Sequence, residues 1–331
     1  MSQIAVLALM DAEGDDARIL RDLVASHPVL SNRIDLKFSR PDAAAGMAAD
    51  AEVIVCGNLP RDILKAAQRL KWAAFWSAGL DGKISPEMLS RPLLVTNASG
   101  VHGPNIAEHV LAWMLMFTRK MHLHLRSQWE SAWDMSASRT GSQAEELAGQ
   151  TLGIVGVGRI GEALALRARG MEMRVIGVKR DAAVRHDSQV TLDAFYPAEE
   201  LPRLLAESDH VCIAVPSTPK THHLFDRNLL GHMKKSAYLY NIARGQVIDE
   251  AALVEVLQFG GIAGVGLDVF EHEPLSPDSP LWKMENVLIT PHVAGQTPYY
   301  FRRFASLFAE NLTRYLNKEP LHNLFDASRG Y

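Results

Sequence analysis

A chain of 331 residues is long enough for two domains, each with its own core. Its 34 Lys and Arg against 38 Asp and Glu leave a net charge of −4, a balance that recruits neither nucleic acid nor an anionic membrane surface. Only two cysteines occur, Cys56 and Cys212, both within apolar runs, and they read as buried thiols of a reducing compartment rather than as a disulfide or metal site.

Residues 1–10 lack a basic segment and meet Asp11 and Glu13 too early for a signal peptide. They read as a first strand, and the protein is expected to be cytoplasmic. A helical pattern follows over 16–25 (Ile19, Leu20, Leu23, Val24). Strand runs at 34–38 and 52–56, a helix-like run at 60–69 and strand runs at 72–76 and 93–96 come next. This alternation predicts βα units on a parallel sheet. Residues 104–118 form a helix that is apolar nearly all round, so it must be buried on several sides and suits a domain junction or a dimer interface. The longest apolar run, 110–118, is too short to span a bilayer. In the polar stretch 126–146, Trp129 and Trp133 stand one helical turn apart, which favours core or dimer packing over closure of a pocket.

The densest signal lies mid-chain. A strand run at 151–155 enters Gly156-Val157-Gly158-Arg159-Ile160-Gly161, and a helical run at 162–169 leaves it and stops at Gly170. In that context G-x-G-x-x-G is a dinucleotide fingerprint. The first glycine permits the tight turn and the second admits a pyrophosphate to the backbone. The third lets helix pack on strand, and the helix N-terminus faces the negative charge. Gly156, Gly158, Arg159, Ile160 and Gly161 are therefore candidate cofactor contacts. At the end of the next strand, 174–178, an NAD-binding fold places a carboxylate for the ribose hydroxyls, but here Lys179-Arg180 stands. Two cations there suit a 2′-phosphate, so NADP(H) is expected over NAD(H).

Further strand runs follow at 210–215 (closed by Pro216), 237–242, 263–269 and 287–290, with helical runs at 198–206 and 250–258. A last amphipathic helix at 300–317 (Phe301, Phe304, Leu307, Phe308, Leu312, Tyr315) is expected to pack back on the first domain. The expected architecture is α/β, with two doubly wound parallel-sheet domains. A Rossmann cofactor domain at 101–293 would be inserted into a flavodoxin-like substrate domain made of 1–100 and 294–331, with the chemistry in the cleft between them.

Three polar residues end successive strand runs, where ligands sit in open α/β sheets: Arg244, Glu273 and His292. An arginine holds a carboxylate through a two-point fork. A histidine exchanges protons with a carbonyl or hydroxyl oxygen near neutral pH, and a glutamate bonded to it orients it and stabilises its charged form. His122/His124 and His222/His223 lack acidic or cysteine partners at ligand spacing, so they read as surface or loop histidines, and no metal is expected.

Read together, several long motifs resemble the D-isomer-specific 2-hydroxyacid dehydrogenase family over essentially the whole chain, in its glyoxylate/hydroxypyruvate reductase-like form. They are Trp76-Ser77-Ala78-Gly79-Leu80-Asp81, Asn105-Ile106-Ala107-Glu108-His109, the fingerprint, Asn241-Ile242-Ala243-Arg244-Gly245, the run 266–274 around Asp268-Val269-Phe270-Glu271, and Thr290-Pro291-His292-Val293-Ala294-Gly295. The resemblance implies an Arg–Glu–His catalytic set at Arg244, Glu273 and His292. It implies that the backbone around Ser77, Ala78 and Gly79 receives the substrate carboxylate with Arg244. It places Asp268 near the nicotinamide amide, and it lines the cofactor with Val215, Pro216, Thr221, Ile242, Ala243, Arg244, His292 and Gly295.

The implied reaction is reduction of a small 2-oxo acid to the D-2-hydroxy acid, and the implied assembly is a homodimer. A nucleotide-sensing corepressor-like protein and a phosphoglycerate dehydrogenase are the alternatives. The latter often carries a C-terminal regulatory domain, for which a chain ending at Tyr331 leaves no room, and a formate dehydrogenase would carry Gln in place of Glu273.

Overall fold

The computed structural model describes residues 3–133, 144–178 and 191–327, so Lys179 and Arg180, on which the cofactor expectation rests, lie outside the described residues. The chain forms two compact units, Met1–Val101 with Thr297–Tyr331, and His102–Gln296.

The first unit is built on five parallel strands: β1 (Ile4–Ala8), β2 (Ile34–Phe38), β3 (Val53–Cys56), β4 (Trp72–Phe75) and β5 (Leu94–Thr96), in the order β2-β1-β3-β4-β5. That is the flavodoxin-like order. β3 and β4 are buried at every residue, which is why they read as continuous apolar runs rather than alternating ones. Helix Tyr300–Asn317 lays Phe304, Phe308 and Leu312 on one face of this sheet, with the Phe308 ring 5.2 Å from that of Trp72. Each such side chain contributes about 1.5–3 kcal/mol by leaving water. Cys56 lies in the core of the opposite face as a free thiol.

The second unit holds seven parallel strands: β6 (Thr151–Val155), β7 (Arg174–Val178), β8 (Ala194–Tyr196), β9 (His210–Ile213), β10 (Tyr238–Asn241), β11 (Gly264–Leu267) and β12 (Val287–Ile289). Their order is β12-β11-β10-β9-β6-β7-β8, the Rossmann arrangement with one strand added at an edge. The all-round apolar helix is Gly103–Thr118. It buries Ile106, Val110, Trp113, Met114 and Phe117, and Phe117 stacks on Tyr238 at 4.7 Å. Cys212 is buried in the same core as a second free thiol.

One expectation needs correction, and one strand was not foreseen. The polar stretch contributes a helix, Met121–Trp129, that buries none of its residues, and Trp133 lies beyond its end. Trp129 is 81% and Trp133 95% exposed, so neither belongs to the core. Strand β8, three residues long and only partly buried at a sheet edge, carries too little apolar pattern to announce itself. No helix among the described residues is long and apolar enough to cross a membrane.

A buried polar chain braces the opposite end of the second sheet. His210 opens β9 fully buried, with Nδ1 at 2.9 Å from the Tyr240 hydroxyl and Nε2 at 2.6 Å from Gln150 Oε1. Burial pushes its imidazole down to about 4. The unfolded chain takes up this proton near pH 6.5 while the folded chain refuses it until about pH 4, so stability falls as pH drops through that window. The span corresponds to roughly 3 kcal/mol. Denaturant titrations at pH 7 and pH 4.5 are expected to show His210→Asn less stable than the parent at pH 7 yet less acid-sensitive. An equal acid loss in both proteins would rule this out.

Candidate active site

The cofactor end of the second unit is set by the turn after β6. Gly156 has φ +100, and a Cβ there would sit 2.7 Å from the Ala214 carbonyl oxygen. A Cβ on Gly161 would fall 2.9 Å from the Gly156 oxygen, so helix Arg159–Gly170 approaches β6 only because that carbon is absent. Among the described residues nothing lies within 4 Å of where a Cβ on Gly158 would stand, in front of the helix N-terminus. That is the space a pyrophosphate needs, and the residues present fit a dinucleotide. Following β9, Thr221 Oγ1 donates to the Pro216 carbonyl at 2.7 Å and accepts from the Thr218 amide at 2.8 Å, closing the 215–221 loop on itself.

Three neighbouring strands then end in the three sequence-predicted polar groups. After β10, the buried Asn241 side chain accepts from the Ala243 amide at 3.0 Å and donates to the Arg244 carbonyl at 3.0 Å, which fixes the backbone beneath the guanidinium. After β11, Glu273 Oε1 accepts from the Phe270 amide at 3.1 Å, anchoring one side of the carboxylate. Its other oxygen, Oε2, lies 2.7 Å from Nδ1 of His292, which follows β12. The His292 side chain is 52% exposed and that of Glu273 37%, so the imidazole is held from behind and keeps its Nε2 edge open. The structure thus joins Glu273 to His292 directly and places Arg244 at the end of the adjacent strand.

His292 sits at φ +54, a left-handed backbone that costs a non-glycine residue about 1–2 kcal/mol. Asp268 holds it there. The His292 amide donates to the Asp268 carbonyl at 2.8 Å, and the Asp268 carboxylate accepts from the amides of Val293 (2.9 Å) and Ala294 (3.0 Å) and from the Thr290 hydroxyl (2.6 Å). Thr290 in turn meets His109 Nε2 at 3.1 Å, and burial lowers the pKa of that histidine against the pull of Asp268. Asp268 is 2% exposed, so its evident work in the fold is to template the turn that carries His292. The His102 ring binds the Gly295 carbonyl at 2.9 Å, and Asn105 binds that of Ala294 at 2.8 Å.

Neither the pairing of Thr290 with Asp268 and His109 nor that of His223 with Glu271 was visible in the sequence, because only the folded sheet brings these residues together. In the first unit, the 77–79 loop follows β4. The Ala98 amide donates to the Ser77 carbonyl at 3.0 Å, and Lys83 Nζ donates to Ser77 Oγ at 2.8 Å.

The second unit is thus a glycine-fingerprint Rossmann sheet whose adjacent strands end in a guanidinium, a carboxylate and a carboxylate-bound imidazole. Residues 111–294 match the D-isomer specific 2-hydroxyacid dehydrogenase, NAD binding domain. A glyoxylate reductase of Korarchaeum cryptofilum is 38% identical over 263 residues, 80% of this chain and 78% of that protein. One from Pyrococcus horikoshii is 35% identical over 317 residues, covering 92% and 86%. A D-isomer specific 2-hydroxyacid dehydrogenase of Xanthobacter autotrophicus, solved in complex with NADPH and MES, superposes with a TM-score of 0.78 at 30% identity over 100% of both chains. The chain belongs to the D-isomer specific 2-hydroxyacid dehydrogenase family.

Proposed function

We propose that this protein reduces a small 2-oxo acid of the glyoxylate or hydroxypyruvate type to the D-2-hydroxy acid. The observation that carries the reading is the 2.7 Å contact between His292 Nδ1 and a Glu273 oxygen already anchored on the Phe270 amide. It leaves Nε2 to deliver a proton and gives the imidazolium, before it does so, a fixed counter-ion. A reduced nicotinamide dinucleotide supplies the hydride when bound, held by Gly156, Gly158 and Gly161, by Arg159 and Ile160 at the helix start, and by the 215–221 and 242–244 segments. Arg244 polarises the keto oxygen, and the amides at 77–79 are the first unit's candidate receiver for the substrate carboxylate. His292 protonates the oxygen as it becomes an alkoxide, and Glu273 keeps the imidazole oriented throughout.

Lys179 and Arg180 favour NADP(H), because two cations at the end of the second Rossmann strand suit a 2′-phosphate. The glyoxylate reductase relatives and the neighbour solved with NADPH support the substrate class and the cofactor. The bare indole faces of Trp129 and Trp133 support a homodimer, which light scattering tests.

The test of function is a panel of 2-oxo acids assayed with NADH and NADPH in parallel. Turnover of glyoxylate and hydroxypyruvate, faster with NADPH, is the expected result. Turnover of none would favour a nucleotide-sensing protein, and a preference for NADH would sink the role given to Lys179 and Arg180.

A further inference from the structure

We propose that Lys83 is a positioning residue for the substrate carboxylate, giving the 77–79 loop a fixed positive charge and turning the Ser77 hydroxyl into a donor. The proposal rests on the reading of that loop as the carboxylate receiver.

Strands β3 and β4 run side by side, with Cys56 opposite Phe75, and both open into loops at the carboxyl edge of the sheet, where ligands of open α/β folds bind. The chain leaves β4 through 77–79 and turns back through Gly82 at φ +68, with the Lys83 amide donating to the Leu80 carbonyl at 3.0 Å. The turn carries the Lys83 ammonium across both strand ends. Nζ donates to the Gly57 carbonyl at 2.9 Å, just past β3, and to Ser77 Oγ at 2.8 Å, just past β4.

Two consequences follow from the chemistry of that contact. An ammonium only donates, so Ser77 Oγ must accept from it, and the hydroxyl's own proton is left to point at another acceptor. Both acceptors of Lys83 are neutral, so the charge is not cancelled by the groups it touches. Placed half-buried behind the loop, it acts through a lower effective dielectric than a solvated lysine would. A loop of backbone amides binds any acceptor. A loop backed by a cation prefers an ionised one, so the protein separates a free carboxylate from its amide or ester. Removing Lys83 removes the charge and frees Ser77 to turn its proton elsewhere.

The test uses the full chain with Lys83→Met and Lys83→Arg. Oxalate, a dianionic mimic of a 2-oxo acid, is titrated calorimetrically into the protein with NADPH present, and steady-state kinetics are run on glyoxylate. For Lys83→Met, oxalate affinity is expected to fall and the glyoxylate KM to rise by roughly 10- to 100-fold, the loss typical of a charge-assisted contact. Its kcat and its KM for NADPH should stay within about threefold of the parent, and Lys83→Arg should recover most of the oxalate affinity. Unchanged oxalate affinity in Lys83→Met, with or without a lower Tm, would make Lys83 a mere strut and overturn the proposal, as would a parent that does not bind oxalate. Oxalate binding that depends on Lys83 in a protein that reduces no 2-oxo acid would uphold the anion site and reject the reaction.

Discussion

Replacing His292 with Asn is expected to lower kcat for 2-oxo acid reduction by about 10²- to 10⁴-fold, the usual worth of a positioned general acid. Asparagine is the informative choice because it tolerates the left-handed backbone at φ +54, whereas a branched residue would add strain and confuse lost chemistry with a lost turn. The Asp268 carboxylate still accepts the Val293 and Ala294 amides in the variant, so the segment keeps its shape. Dinucleotide affinity should fall far less than turnover, since His292 is only one of the many residues proposed to line the cofactor. Glu273→Gln should lose less, because its amide oxygen can still accept the Phe270 amide while the counter-charge is gone. Pre-steady-state and steady-state rates with glyoxylate and NADPH provide the check. If His292→Asn turned over at the parental rate, the proton would have to come from another group.

Gly245→Ala is expected to destabilise the second unit and to disable the site together. A Cβ at Gly245 would lie 1.8 Å from the Phe270 carbonyl carbon, 2.0 Å from its oxygen and 2.3 Å from the Glu271 amide nitrogen. These are backbone atoms, so no rotamer change relieves the overlap, and one segment must move away from the other. On one side stands Arg244, on the other the loop that carries Glu273. The expected loss exceeds about 3 kcal/mol, a cost reached only by a few mechanisms of which backbone overpacking is one. For a unit of this size that lowers Tm by roughly 6–12 °C. A shift of an ångström at either group also costs about 100-fold in turnover. Scanning calorimetry and kinetics on the same preparation measure both effects. Gly170→Ala is the control, since none of the described residues lies within 4 Å of the new carbon, and it should leave both unchanged. Equal melting of Gly245→Ala and the parent would show that the two segments have room between them.

What was legible in the sequence was whatever obeys a local rule. The doubly buried strands showed as apolar runs, the fingerprint glycines showed by spacing, and Arg244, Glu273 and His292 showed by standing where strands stop. The Glu273–His292 contact was legible only as an arrangement of a family, since nineteen residues separate the two partners in the chain. Thr290 and His109 stood inside recognised motifs but were given no role, and Lys83 was not singled out. Each acts through a neighbour supplied by a distant strand or helix, and a threonine after a strand or a lysine in a turn has no pattern of its own. Trp129 and Trp133 misled for the opposite reason. Their four-residue spacing mimics a helical face, but the helix stops at Trp129 and the second indole falls outside it.

The turn at His292 has one more consequence. Its geometry is dictated by the Asp268 carboxylate and the amides that converge on it, and the imidazole contributes nothing to that scaffold. Chemistry and architecture are therefore written in different residues at the same spot. On the proposed mechanism, a descendant of this chain would discard its proton donor in a single substitution at His292 and keep the turn intact, so the route from a reductase to a silent reader of the cofactor pool would be one codon long.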